Sequence, residues 1–198
     1  MFILDDVSFK YQEPIFSHAS IEIPERKIGI VGENGIGKTT LLRLFNGELF
    51  AQSGKIRLDQ RSYRFDFSFE KYNNFTIQDM LDIAKHMKAF DCSSSDSLIE
   101  LLHIGKYMDT KIGKLSKGTA KKVGILLGML IKDRVLLIDE PFESLDESTN
   151  QNLTELFRNS EQQMMIVSHD MEYLKNSVEQ IYEISGETLH IMQTELQS

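Results

Sequence analysis

Apolar and polar residues alternate through Val7-Ser8-Phe9-Lys10-Tyr11 and again through Ile21-Glu22-Ile23, the pattern of strands with one buried face. Gln12-Glu13-Pro14 and Pro24-Glu25-Arg26-Lys27 break the alternation as turns. Two later runs, Ile28-Gly29-Ile30-Val31 and Val135-Leu136-Leu137-Ile138, carry no polar residue at all. They are short enough for strands and suit burial on both faces of a parallel sheet. Residues 164–168 repeat the type, and strands are also expected over 55–58, over 61–69 and as a closing pair. In the 61–69 segment Phe65, Phe67 and Phe69 share one face, read here as core. Ile77, Met80, Leu81, Ala84 and Met87 recur at helical spacing behind Thr76-Ile77-Gln78-Asp79, a capping box in which Asp replaces the usual Glu or Gln. Further helices are expected over 97–104, 118–130, 147–158 and 172–177, with a polar loop over 91–97. The expected fold class is α/β, with residues 76–128 as a helical insertion into a core formed by 1–75 and 129–198.

Between the strand at 28–31 and the helix that begins with Leu41 lies Gly32-Glu33-Asn34-Gly35-Ile36-Gly37-Lys38-Thr39-Thr40. Strand, glycine-rich turn and helix are the context of a phosphate-binding loop. Glycines let the backbone close around a polyphosphate where a Cβ would collide with it. Successive amides then form a nest for the anion, and the helix N-terminus adds its positive end. Lys38 is expected to reach the β and γ phosphates, and the Thr39 hydroxyl to ligate Mg2+. The run at 135–138 ends in Asp139-Glu140-Pro141. In open parallel sheets ligands bind beyond the carboxyl ends of the strands, which puts Asp139 near the Mg2+ and Glu140 where it could polarise an attacking water.

Composition narrows the class only a little. Lys plus Arg is 22 against 30 Asp plus Glu, a formal net charge of −8, which argues against a nucleic-acid partner. The single cysteine, Cys92, excludes an internal disulfide and fits a reducing compartment. No run approaches the ~20 apolar residues of a membrane span, and the start, Met1-Phe2-Ile3-Leu4-Asp5-Asp6, lacks the basic segment of a signal peptide. A cytoplasmic protein that meets a membrane only through a partner is expected.

Together these residues resemble the nucleotide-binding domain of ATP-binding-cassette proteins, over essentially the whole chain. Leu115-Ser116-Lys117-Gly118-Thr119 is similar to the family signature Leu-Ser-Gly-Gly-Gln, and Leu136 to Pro141 to its second nucleotide motif. Ser144-Leu145-Asp146 resembles the loop that crosses to the partner subunit, His169 the switch histidine, and Tyr11 the aromatic residue that stacks on adenine. The resemblance implies a P-loop NTPase core with a mainly parallel sheet, an N-terminal antiparallel β subdomain and a short helical subdomain. It also implies a head-to-tail dimer, of this chain or with a second cassette, that sandwiches two ATP. Ser116 and Gly118 of one subunit would then face the γ-phosphate held by the other. Glu140 would be the general base, His169 would touch the γ-phosphate, and Lys38 with Mg2+ would neutralise developing charge.

Two departures stand out. Lys117 and Thr119 replace the first glycine and the glutamine of the signature, a variation resembling cassettes of small exporters. No glutamine lies between Phe67 and Phe75, where the family has one that senses Mg2+; Ser68 or Glu70 could hold the place. The leading expectation is the ATPase subunit of an exporter, seated on the inner face of the cell membrane through a separate membrane subunit. The alternative is a non-transport cassette that powers a scaffold or assembly complex.

Overall fold

The computed structural model describes residues 1–65 and 69–192, Glu70 by its backbone alone. Phe2–Lys10 (β1) and Pro14–Ile23 (β2) form an antiparallel hairpin, registered Phe2 with Ile23 and Phe9 with Phe16. Lys27–Val31 (β3) then enters a second sheet and leads into Lys38–Phe45 (α1). Ser53–Leu58 (β4) returns to the free edge of β1, giving a three-stranded antiparallel layer ordered β2-β1-β4. A short strand, Ser62–Arg64 (β5), precedes three helices, Ile77–Lys85 (α2), Ser95–Leu101 (α3) and Lys117–Met129 (α4). The chain closes with Val135–Asp139 (β6), Glu147–Asn159 (α5), Met164–Val167 (β7), Met171–Ser177 (α6), Gln180–Ser185 (β8) and Thr188–Ile191 (β9). The larger sheet is ordered β5-β6-β7-β3-β8-β9, parallel throughout except for the β8–β9 hairpin.

The unbroken apolar runs are explained by what lies on each side of this sheet. Along β6, Leu136 and Ile138 enter a core shared with Val123 and Leu126 of α4 and with Leu153 and Phe157 of α5. Their neighbours Val135 and Leu137 point the other way, into a core with Leu41, Leu42 and Phe45 of α1 and Phe2, Leu4 and Phe16 of the hairpin. The period of two therefore feeds two cores, so no position along the strand can be polar. On β3 the same alternation sends Ile28 and Ile30 to the α1 side. Gly29 faces α6, where a Cβ would stand 2.9 Å from the Leu174 side chain. The carboxyl ends of β3, β7 and β6 thus lie side by side, which is what positions the site.

The helical segment begins as its sequence predicts. Thr76 Oγ1 accepts from the Asp79 amide at 3.0 Å, and the Asp79 carboxylate accepts from the Thr76 amide at 2.8 Å. The shorter Asp side chain thus closes the capping box. The helix expected over 97–104 runs instead from Ser95 to Leu101, because the polar stretch turns earlier. The strand expected over 61–69 is corrected to Ser62–Arg64. It pairs residue for residue with Val135, Leu136 and Leu137, and the Phe65 amide adds one last bond to the Leu137 carbonyl. Phe65 is buried against Gly128, where a Cβ would lie 2.3 Å from the ring, and Phe69 leads into a 3-10 turn. Phe67 and Ser68 fall outside the described residues, and with them the proposed aromatic face and one of the two stand-ins for glutamine.

Candidate nucleotide site

All three glycines of the loop after β3 have positive φ: +146° at Gly32, +83° at Gly35 and +116° at Gly37. Packing adds a second demand at two of them. A Cβ on Gly37 would stand 2.4 Å from Ile15 of the hairpin, and one on Gly32 2.9 Å from the Ile184 carbonyl of β8. Gly37 is also the residue from which α1 starts, and it has no side chain to cap the helix. The first-turn amides, at Lys38, Thr39 and Thr40, are therefore donors aimed out of the helix end, with no acidic side chain in that turn to compete. Lys38 folds back over the loop, its Nζ 2.8 Å from the Gly32 carbonyl and 2.9 Å from that of Glu33. Glu33, Asn34, Gly35 and Ile36 form the outer turn, closed by the Ile36 amide on the Glu33 carbonyl.

The end of β6 meets this helix start. Thr39 Oγ1 donates to Asp139 Oδ2 at 2.7 Å, joining residues 100 positions apart. The next residue, Glu140, leaves the strand in a left-handed conformation, φ +49°, with its amide on the Val167 carbonyl of β7. Its Oε2 lies 3.0 Å from His169 Nδ1 and 3.3 Å from the His169 amide. With the carboxylate as acceptor, Nδ1 is the donor of this pair, and the His169 ring is largely exposed. Thr39, Asp139, Glu140, Lys117, Lys121 and Ser144 line a common cavity of about 820 Å3. The Thr39 hydroxyl and Asp139 carboxylate are hard oxygen donors. They suit Mg2+, which takes one or two protein oxygens and fills its octahedron with phosphate and water.

The signature-like segment is divided: Leu115 and Lys117 border this cavity, whereas Ser116, Gly118 and Thr119 line another hollow. Ser116 caps α4, its Oγ accepting from the Thr119 amide at 3.1 Å and lying 2.9 Å from the Thr119 hydroxyl. Thr119 thus reinforces the cap. Gly118 packs on the Ser144 carbonyl, where a Cβ would be 2.7 Å away. Ser144 itself has φ +65°. Asp146 caps α5 and accepts from the Thr149 amide at 2.9 Å and the Ser148 hydroxyl at 2.6 Å. The Ser148 hydroxyl, then the Thr149 amide and hydroxyl, hold the Asp146 carboxyl far below the usual carboxylate range. Ser116, Gly118, Ser144 and Asp146 share a second hollow of about 320 Å3 with His103 and Lys106, and no residue of the phosphate loop lines it. Tyr11 lies on the hairpin that carries Ile15, half exposed, its ring edge-on to Phe9 at 5.0 Å.

Two residues that motif reading passes over join these clusters. Lys121 Nζ donates to the carbonyls of Glu140 and Glu143 at 2.7 and 2.8 Å. Burial lowers its pKa, opposed by the carboxylates of Glu143, Glu140 and Asp139. Lys122 Nζ lies 2.7 Å from the Thr149 hydroxyl and 3.3 Å from the Asp146 carboxylate. The available signal was a pair of charges at the threshold of the apolar stretch from Val123 to Leu127.

A family model described as ABC transporter matches residues 17–143. Among curated proteins, the chain is 30% identical over 200 residues to the ABC transporter ATP-binding protein ARB1 of Saccharomyces cerevisiae, covering 93% of this chain but 32% of that protein. The chain thus spans about a third of that relative's length. Among solved structures, the ATP-binding subunit of an ABC transporter superposes with a TM-score of 0.83 at 16% identity, covering 97% of this chain and 90% of the other. A bacterial ABC transporter cassette solved as a dimer gives 0.75 at 17% identity, covering 98% and 100%.

Proposed function

The chain belongs to the ABC transporter family of ATP-binding cassettes, and we propose that it binds Mg-ATP, pairs with a second cassette and hydrolyses ATP to drive a membrane subunit. The observation that carries this reading is the hydrogen bond between Thr39 and Asp139, which puts the start of the phosphate loop's helix against the carboxylate of a strand 100 residues later. In this role the amides of residues 32–40 grip the β and γ phosphates, and Lys38 turns from the loop carbonyls to the γ-phosphate. Thr39 and Asp139 would hold Mg2+, which would neutralise charge developing on the phosphates. Glu140, oriented by His169 Nδ1, accepts a proton from the attacking water, and His169 Nε2 faces the γ-phosphate. Tyr11 offers a ring face to the adenine.

Ser116, Gly118 and Asp146 belong to the site of the partner cassette, an assignment supported by their separate hollow and by the outward start of α4. The core is formed by residues 1–75 and 129–198, and the helical insert by 76–128. Between them an apolar groove of about 260 Å3 is lined by Tyr63, Phe69, Tyr72, Met80, Ile83 and Met87. Tyr72, Phe75, Ile83 and Met87 are all more than a third exposed beside it. That surface suits a helix of the membrane subunit. Among the described residues no helix is long and apolar enough to cross a membrane. The Ser116-Lys117-Gly118 variant favours an exporter. The deciding experiment is ATP turnover by the Lys38→Ala variant, together with purification of the tagged chain from membranes. Loss of turnover and a co-purifying polytopic subunit are expected. Undiminished turnover overturns the site, and exclusively soluble partners overturn the transport role.

A further inference from the structure

We infer that Lys121 is a positioning residue for Glu140, fixing the left-handed turn from which the carboxylate reaches His169. The inference rests on the reading of Glu140 as the base. Glu140 adopts φ +49° without being glycine, so its turn must be held by its surroundings. On the strand side its amide is bonded to the Val167 carbonyl. On the other side its carbonyl receives the Lys121 ammonium at 2.7 Å, and the Glu143 amide follows only at 3.4 Å. The same ammonium reaches the Glu143 carbonyl at 2.8 Å, so one cation bridges both ends of the turn from 140 to 143. Bonds from an ammonium are shorter and stronger than those between neutral groups, and a lysine can make three of them.

The lysine itself has little freedom. Its side chain is 12% exposed. Gly118, one helical turn earlier on the same face of α4, packs on the Ser144 carbonyl. Lys122 grips the Asp146 carboxylate and the Thr149 hydroxyl at the far end of the same loop. The first two turns of α4 therefore lie flat along residues 140–146. Lys121 is the member of that contact that reaches the reacting carboxylate's own residue. A neutral or shorter side chain there releases the Glu140 carbonyl, and the carboxylate swings on a turn left with only the long Glu143 bond on that side.

The test is a double-mutant cycle on ATP hydrolysis, with nucleotide affinity measured separately by a fluorescent ATP analogue. Lys121→Met is expected to lower kcat by about 10- to 100-fold, the cost of a small misplacement of a reacting group. KM and analogue affinity should stay within about two-fold. In a Glu140→Gln background the same change should add less than about two-fold, because the group it positions is already disabled. Lys121→Arg should recover more of kcat than Lys121→Gln. Should Lys121→Met fail to fold, Lys121→Gln carries the cycle. An unchanged kcat overturns the inference, as does a full multiplicative loss in the Glu140→Gln background or a loss that tracks melting temperature in every variant. If Glu140→Gln alone leaves kcat intact, the assignment of the base has failed. If Glu140→Gln abolishes turnover and Lys121→Met does not, only the positioning role has.

Discussion

The carboxyl edge of the parallel sheet and the start of α4 both present donors suited to phosphate, yet they are built in opposite ways. At the sheet edge, Thr39 meets Asp139 across 100 residues and Glu140 meets His169 across 29. At α4, Ser116 meets Thr119 across three. The first arrangement exists only once β3, β6 and β7 lie in register, whereas the second needs no more than one helical turn. A half assembled from distant segments can surround a ligand and work on it. A half assembled locally, on an exposed helix end, offers its donors outward, which is why we propose that it serves the site of a second cassette. Lys121 and Lys122 tie the two together, because both reach from α4 to the loop between Glu140 and Thr149.

The sharpest way to break this contrast is Glu140→Gln. It is expected to lower kcat by about 10²- to 10⁴-fold while nucleotide stays bound, read as phosphate release against ATP retained on gel filtration. An equal loss of binding would mean that the sheet edge grips phosphate through Glu140 rather than through the loop. Next in size is a complementation experiment. Dimers mixed from a Lys38→Ala chain and a Ser116→Ala chain should regain hydrolysis that both parent homodimers lack. One of their two sites then combines an intact loop with an intact α4 start, provided that each site draws on both chains. No recovery places both halves in the same chain.

Smaller effects test the construction of each half. Gly37→Ala should cost about 1–3 kcal/mol in urea unfolding, since a Cβ collides with Ile15. Gly35→Ala, where nothing lies within 4 Å, should cost only about 1 kcal/mol of backbone strain. Equal costs would show that packing is not what shapes the loop. The smallest effect concerns the Asp146 cap, whose carboxyl is held low chiefly by the Ser148 hydroxyl and the Thr149 amide. A lowered native pKa stabilises the fold above the unfolded value of about 3.9, and the gain fades as pH falls through the native value. Asp146→Ala should therefore cost about 1 kcal/mol at neutral pH. The gap from the parent should narrow below about pH 4. A gap that is constant down to acid pH would assign the cost to lost packing.

Much of the fold and of the site is legible in the residues alone, and particular positions show why. The run at 135–138 announces burial on both faces, and its alternate residues do enter two separate cores. Thr76 and Asp79 announce a helix start that closes as a capping box. The strand expected over 61–69 is the exception: among the described residues it pairs with β6 over Ser62–Arg64 alone. Alternation records which face a side chain prefers and says nothing of where the neighbouring strand stops.

What the sequence determined by itself was set by near neighbours: the glycine turn, the Thr76 capping box, the period of the strands and the order of the motifs. Local backbone preference and side-chain spacing suffice for those, because the interacting groups are a few bonds or one helical turn apart. Only the tertiary structure decided that Thr39 bonds directly to Asp139, that Glu140 turns left-handed toward His169, that Ser116 stands in a different hollow from Thr39, and that Lys121 bridges the carbonyls of Glu140 and Glu143. Each of these is a meeting of segments far apart in the chain, set by how two buried cores pack against one sheet, and a backbone carbonyl carries no mark in the sequence of the cation that will find it.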